Sequence, residues 1–229
     1  MLVNSDFSQP AIVVGDDYRW VASPQSGVER VMLDRLGGEK ARATSIVRYA
    51  PRSCFPRHVH PGGEEVFVLS GTFSENGNHY PAGYYLRNPP GSSHQPSSHE
   101  GAVIFVKLWQ MHADESASIR IDTRDPDAWR HERGRAVCPL FENDHEQVRL
   151  ERLSAGQAVF SHADAGAEVL VIEGQIDTQD QLLEQGSWMR LPAGVRPVIK
   201  SGVEGAMLFI KTGHLFKVHE YTRPWELQK

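Results

Sequence analysis

The residues best suited to chemistry in this sequence are two closely spaced histidines followed by a carboxylate. His58 and His60 are two positions apart, so on a β-strand both side chains project from the same face. Pro61-Gly62-Gly63 then predicts a turn, because proline fixes φ and glycine accepts positive φ. Glu64 follows, at the start of the apolar run Val66-Phe67-Val68-Leu69, which predicts a buried strand. We therefore expect a tight hairpin on which two imidazoles and a carboxylate face each other.

A further histidine completes a candidate set of metal ligands. His94 lies thirty positions after Glu64, just behind a second turn at Pro90-Gly91. Imidazole nitrogen and carboxylate oxygen suit zinc, iron, nickel, copper or manganese. Four protein ligands leave one or two positions for water, oxygen or a chelating substrate, which is typical of catalytic sites. We predict one divalent transition metal per chain (zinc, iron, nickel or manganese), bound by His58, His60, Glu64 and His94.

The complete pattern resembles the metal signature of the cupin superfamily, His-x-His-x3-Glu-x6-Gly followed by Pro-Gly-x2-His. The resemblance to the ChrR-type cupins extends over about residues 44–109. It is carried by two longer segments, Phe-Pro-Arg-His-Val-His-Pro-Gly-Gly-Glu-Glu and Leu-Arg-Asn-Pro-Pro-Gly-Ser-Ser-His. That group includes the C-terminal domain of the ChrR anti-sigma factor and is similar to small dioxygenases acting on β-diketones. One departure is Ser98, where the superfamily often has asparagine. The resemblance implies a jelly-roll-like barrel.

Several neighbouring residues are alternative or additional candidates for the site. Glu65 is an alternative to Glu64 as a ligand, but the spacing to Gly71 and strand alternation both favour Glu64. We expect the Glu65 side chain on the other face of the strand. Cys54 lies on the same strand face as His58, and we expect a buried core cysteine there in preference to a redox-active one, because free cysteine is commonly buried. Further candidates for lining the cavity are Tyr85, Phe105 and Lys107. For Phe105 we expect ordinary core packing instead, and for Lys107 a structural role.

An internal repeat indicates two copies of one unit. Gly71-x11-Gly83-x3-Arg87 recurs as Gly174-x11-Gly186-x3-Arg190, and the segment 100–107 recurs at 204–211. We therefore predict an all-β protein of two tandem cupin barrels, a bicupin. The predicted divisions are residues 1–111 as a metal-binding N-terminal cupin, 112–133 as a linker, and 134–229 as a degenerate C-terminal cupin.

The second copy has lost the predicted ligands. When the two repeats are aligned, the positions of His58, His60, Glu64 and His94 are occupied in the second copy by Ser161, Ala163, Ala167 and Pro197, respectively. His162 and Glu168 lie one residue away from ligand positions, and a one-residue shift in a strand turns a side chain to the opposite face. We predict that the second barrel is metal-free and structural; the alternative is that its empty interior binds a small molecule.

Composition limits the classes of function. The 229 residues include 40% hydrophobic and 23% charged residues, which is ordinary for a globular protein with a sizeable core. The net charge of −5 and the absence of long basic runs argue against direct nucleic-acid binding. No apolar run approaches the roughly 20 residues of a membrane span, and the first residues lack a signal-peptide pattern. Cys54 and Cys138 do not form a disulfide framework, so a cytoplasmic protein is expected.

Two functions follow from the resemblance. The first is a regulatory or sensor protein linked to a transcriptional stress response, as the ChrR cupin domain implies. The alternative is a metal-dependent dioxygenase acting on small diketone-like or phenolic substrates. Residues 1–43 contain no Cys or His, so the zinc-binding route by which ChrR-type factors hold a sigma factor is not expected here. The partners expected are a small-molecule ligand or oxygen species, a protein partner, and a second copy in a homodimer.

Overall fold

The computed structural model describes residues 1–38, 40–160, 165–195 and 197–215, and these form an all-β protein as predicted. The described residues contain no α-helix, only two short 3-10 turns at Gly15–Asp17 and Pro126–Ala128. None of the helical turns in these residues could therefore cross a membrane. Internal contacts divide the chain into a first unit, residues 1–5 and 19–124, and a second unit, residues 6–18 and 125–215.

The strands are mostly short and separated by turns that contain glycine, proline or asparagine. In chain order they are β1 (Leu2–Val3), β2 (Ala11–Val13), β3 (Val21–Ala22), β4 (Val28–Gly37), β5 (Ala41–Tyr49), β6 (Ser53–Cys54), β7 (His58–His60), β8 (Glu64–Glu75), β9 (Asn78–Pro81), β10 (Tyr84–Asn88), β11 (Ser92–His94), β12 (Pro96–Ser98), β13 (Ala102–Leu108), β14 (Ile119–Asp122), β15 (Arg130–Glu132), β16 (Arg135–Glu142), β17 (Gln147–Leu153), β18 (Ala167–Asp177), β19 (Leu182–Glu184), β20 (Trp188–Leu191) and β21 (Lys200–Thr212).

The main sheet of the first unit follows the order β1-β4-β5-β13-β8-β10-β14, with all pairs antiparallel. Strand β13 lies between β5 and β8, so the apolar run at its core is a central strand as predicted. The predicted Asn76-Gly77 hairpin is also confirmed. Both residues have positive φ, 48° and 84°, and Glu75 pairs directly with Asn78 across the turn. In the described part of this unit the sheet does not close on itself.

The strand that carries the first two histidines pairs differently from the prediction. The turn at residues 61–63 is present, but β7 does not form a hairpin ladder with β8. Instead β7 pairs with β11 in a two-stranded sheet, in which His58 lies opposite His94. The hairpin prediction was wrong because a turn signal shows where the chain reverses but does not identify the partner strand.

Strand β8 contains an irregularity that decides which side chains face the interior. Its pairing with β13 shifts by one residue, since Ser70 pairs with Val103 and Val68 pairs with Ile104. Leu69 is therefore an extra residue, and side-chain alternation inverts across it. Gly71 follows at φ 67°, where an added Cβ would overlap the carbonyl oxygen of Gly101.

The second unit repeats the strand pairing of the first. Its sheet follows the order β15-β16-β17-β21-β18-β20-β2, and β2 comes from the N-terminal segment. Ala167, the first residue of β18, pairs with Leu191 and Thr212. Glu64, the first residue of β8, pairs in the same way with Asn88 and Leu108. The sequence repeat is thus matched by a repeat in register.

The predicted connection, residues 112–133, contributes strands to both sheets. Within it, β14 pairs with β10 of the first sheet, and β15 pairs with β16 of the second. The division between the units falls after residue 124. Because β14 is held against β10, its Arg120 is directed towards the histidine cluster described below.

Candidate metal centre

Three histidines converge in the first unit. His58 and His94 lie opposite each other on β7 and β11, and His60 is two residues further along β7, on the same face as His58. One ring nitrogen from each histidine lies within 4.8 Å of the other two. The Nε2 atoms of His60 and His94 are 2.8 Å apart. His60 and His94 are buried and His58 is partly exposed, so the cluster lies just inside the unit.

Glu64 lies beside this cluster. Its Oε2 atom is 3.7 Å from Nε2 of His60 and 3.6 Å from Nε2 of His94, and the side chain is buried. The neighbouring Glu65 points to the opposite face, where it accepts a hydrogen bond from the Tyr85 hydroxyl (3.0 Å). The structure therefore brings all four predicted ligands together, and the alternation argument separates Glu64 from Glu65.

A buried carboxylate that the sequence analysis missed orients one of the histidines. Glu75 accepts hydrogen bonds from His94 Nδ1 and from Arg120 Nη2. Asn88 donates from Nδ2 to Glu64 Oε2 (3.0 Å) and to Glu75 Oε2 (3.4 Å). Simple alternation from Glu64 would place Glu75 on the other face, but the extra residue at Leu69 returns it to the site. The glycine after an apolar run is the signal that could have indicated this bulge.

The charges around the cluster shift its pKa values in opposite directions. Burial, together with His94 and His58, lowers the pKa of His60, although Glu64 opposes the shift. Burial disfavours the charged form of His94, but Glu64 and Glu75 outweigh it, and the pKa of His94 is raised. Burial disfavours the carboxylate of Glu75, but its hydrogen bond to His94 and the charge of Arg120 outweigh burial and lower its pKa.

The donor set fits a transition-metal ion. His58 Nδ1 lies 2.8 Å from the carbonyl oxygen of Pro56, and His94 Nδ1 contacts the Glu75 carboxylate. An oxygen acceptor at Nδ1 fixes the proton there, which leaves the Nε2 lone pair free to face the cluster. Neutral imidazole nitrogens that converge beside a buried carboxylate form the kind of ligand set that divalent transition metals prefer.

The cluster opens onto a cavity of about 720 Å³ in the first unit. Both histidines of β7 line it, together with Phe55, Leu108 and Trp109. This volume is within the range of small-molecule sites. A small molecule can therefore reach the histidines from solvent.

Comparison with known proteins identifies the family of this part of the chain. The family model described as ChrR Cupin-like domain matches residues 8–112. Residues 8–112 therefore match the ChrR cupin-like family. The resemblance predicted from the ligand motif is confirmed, and the match includes all four predicted ligands.

Solved structures share the fold of the chain at low sequence identity. A putative dioxygenase from Nostoc punctiforme is 16% identical with a TM-score of 0.73, and the match covers 92% of this chain and 85% of that one. A putative glyoxylate-induced protein from Pseudomonas aeruginosa is 19% identical, with a TM-score of 0.67 and coverage of 88% and 87%. A bacterial pirin from Escherichia coli in complex with nickel(II) is 12% identical, with a TM-score of 0.64 and coverage of 89% and 98%. A search of curated proteins found no match.

Two expectations about residues near this site are wrong, namely that Tyr85 lines the cavity and that Cys54 is buried. Tyr85, Phe105 and Lys107 do not line the cavity, because the register places them on the face of the sheet that carries Glu65. Phe105 and Lys107 are buried, which agrees with the packing and structural roles also considered for them. Cys54 is exposed rather than buried, since β6 is a two-residue edge strand.

The second unit differs from the ChrR cupin-like domain at the positions of the site. Ala167 and Leu191 stand in the register positions of Glu64 and Asn88, and both are buried. Within the described part of the chain, the triad of His58, His60 and His94 is the one group of His, Cys, Asp or Glu side chains suited to a metal. Ser161, His162 and Ala163, which the repeat places near ligand positions, lie outside the described residues.

Proposed function

We propose that the chain is a bicupin that holds one divalent transition metal in its N-terminal unit through His58, His60, Glu64 and His94. The convergence of the three imidazoles and the adjacent carboxylate supports this ligand set. The matched register of the two sheets supports a pair of barrels, of which the second has Ala167 in the register position of the ligand Glu64. The ligand set leaves the choice among iron, manganese, nickel and zinc to be made by metal analysis.

We further propose that this centre is the active site of a dioxygenase acting on small diketone-like compounds. The observation that carries the proposal is the cavity of about 720 Å³ that opens directly onto His58 and His60. A structural metal site is closed by protein ligands, whereas a catalytic one keeps positions for a substrate within reach of solvent. A bound metal would supply Lewis acidity and, as iron, the redox chemistry that oxygen requires.

The residues of the chain have separable tasks in this proposal. Glu75 and the Pro56 carbonyl hold the rings of His94 and His58 with Nε2 facing the cluster. Asn88 and Arg120 hold Glu64 and Glu75, respectively, so that both carboxylates keep their orientation when a substrate enters. Phe55 and Trp109 provide apolar walls that exclude water from a bound diketone.

Oxygen consumption tests the proposed activity. Apoprotein loaded with ferrous iron should consume oxygen in the presence of members of a panel of β-diketones and flavonols. The His60→Ala variant, loaded and assayed in the same way, should not. No oxygen uptake by protein loaded with iron, manganese or nickel across the panel would overturn the dioxygenase proposal.

A second candidate function is that of a metal-dependent sensor in a transcriptional stress response, in the cytoplasm and with a protein partner. The match of residues 8–112 to the ChrR cupin-like family favours it. In this case the cavity would bind an effector or an oxygen species without turnover. Metal-dependent ligand binding in the absence of oxygen consumption would select the sensor over the enzyme.

A further inference from the structure

The cavity beside the metal centre is lined by basic side chains. Arg30, Arg35 and Lys40 all contribute to its wall, together with the two histidines of β7. The described lining residues include no aspartate or glutamate. The chain as a whole has a net charge of −5, so the charged residues that line this cavity are opposite in sign to the chain.

The register of β4 explains why both arginines reach the cavity. Arg30 pairs with Val47 and Arg35 pairs with Ala43, and these two partners are four residues apart on one face of β5. An odd separation would normally put Arg30 and Arg35 on opposite faces. The pairing shifts by one residue between Met32 and Asp34, and this bulge brings them to the same face.

The same register connects Arg35 to the candidate metal centre. Ala43 pairs with both Arg35 and Leu108, and Leu108 pairs with Glu64. Residues directly opposite each other share a face of the sheet, so Arg35 and Glu64 stand in one row across four strands. Arg35 donates from Nε (3.0 Å) and from Nη2 to the carbonyl oxygen of Gly38, which fixes the direction of its guanidinium group.

An aromatic side chain also lines this cavity. Trp109 follows Leu108 in the chain and has φ 58°, a left-handed conformation that bulky residues rarely adopt. Its ring lines the cavity and packs against Gly62, where an added Cβ would clash with it. The cavity therefore combines a metal-ligating end, an apolar wall and a cationic wall.

We propose that the ligand of this cavity is a small organic anion, a diketone-like acid whose carboxylate is bound by Arg30, Arg35 and Lys40. This inference rests on the proposed function, since it names the substrate class of the same site. Guanidinium groups bind carboxylates through charge-assisted hydrogen bonds, which are about twice as strong as neutral ones.

Acetopyruvate and its methyl ester test the proposal, because the two present the same diketone and differ in one negative charge. Calorimetric titration into zinc-loaded protein measures binding without oxygen chemistry. The acid should bind about tenfold or more tightly than the ester, since charged hydrogen bonds contribute that much. Arg30→Gln and Lys40→Gln should each reduce this ratio several-fold, and Arg35→Lys should reduce it while keeping the buried charge.

Lys200→Gln is the matched control, because Lys200 is an exposed cation of the second unit and its loss changes the net charge equally. It should leave the ratio of acid to ester unchanged. The inference is overturned if the ester binds as tightly as the acid, if the acid does not bind protein that carries its metal, or if Arg30→Gln and Lys40→Gln keep the full ratio. Metal content measured on the same samples shows separately whether the protein binds a metal as proposed. If it does not, the ratio of acid affinity to ester affinity measured on the apoprotein still tests whether the basic residues bind the carboxylate.

Discussion

The orientation of a histidine is as important for metal binding as its position. His94 is buried, and its Nδ1 atom contacts the carboxylate of Glu75, which is itself held by Arg120. A carboxylate that accepts from one ring nitrogen makes the other a better donor and limits ring rotation. In the proposed metal site, Glu75 is therefore a positioning residue, which would act on the metal through His94.

We expect Glu75→Gln to weaken zinc binding by about 10- to 100-fold, the usual cost of losing an outer-shell carboxylate. The neutral amide can still accept from His94, but it no longer carries the charge that raises the pKa of His94 and pairs with Arg120. Competition against a chromophoric chelator measures the affinity.

Glu65→Gln is the control for this prediction. Glu65 is as buried as Glu75 and adjacent to Glu64, yet it faces Tyr85 and Arg87 instead of the histidines. Its replacement should leave zinc affinity unchanged. Equal losses in the two variants would show that the effect comes from general destabilisation and would contradict the positioning role.

The two cysteines should react at very different rates. Cys54 is exposed, whereas Cys138 is buried and its pKa is raised by burial to about 11. Because the thiolate is the nucleophile, iodoacetamide at neutral pH should modify Cys54 in the native protein and leave Cys138 intact. Peptide mass spectrometry locates the label, and unfolding in urea should expose Cys138. Equal labelling of both cysteines without denaturant would contradict the burial of Cys138.

At the scale of strands, the sequence predicts the features that depend on adjacent residues and misses the pairing of strands that are distant in the chain. The turns, the central strand β13 and the Asn76-Gly77 hairpin depend on a few adjacent residues and were predicted correctly. The pairing of β7 with β11 joins segments about thirty residues apart, which no turn signal encodes. The contribution of Glu75 depends on the bulge at Leu69, which inverts the alternation on which the face assignments were based.

Gly71 should be intolerant of a side chain because it follows that bulge. We expect Gly71→Ala to destabilise the protein by about 1–2 kcal/mol for the left-handed conformation and by about 1–3 kcal/mol more for the overlap with the Gly101 carbonyl. Gly77→Ala has a similar positive φ with no atom within 4 Å of the added Cβ, so it should show the first cost alone. Urea unfolding monitored by tryptophan fluorescence gives the two free energies. Equal losses would show that contact with Gly101 does not constrain Gly71.

At the scale of the whole chain, the two units keep the same register and differ in what the register positions contain. Three buried charged residues of the first unit have counterparts of the same type in the second, and all six are buried: Glu65, Arg87 and Lys107, with Glu168, Arg190 and Lys211. The opposite face has diverged, since Glu64 and Asn88 are replaced by Ala167 and Leu191. The two units therefore share the buried charged residues on one face of the sheet. Only the first unit has Glu64 and Asn88 of the candidate metal site on the other face.

This divergence predicts the metal stoichiometry of the 229-residue chain. Protein purified without chelator should contain close to one transition-metal ion per chain, because the described part of the second unit offers no comparable group of ligands. His60→Ala and His94→Ala should each reduce the metal content well below that of the parent. Ala167→Ser, at the register position of Glu64 in the second unit, should leave it unchanged. Inductively coupled plasma mass spectrometry on folded, monodisperse samples measures the ratio and identifies the element. A ratio near two, or metal retained in both histidine variants, would contradict a single centre in the first unit.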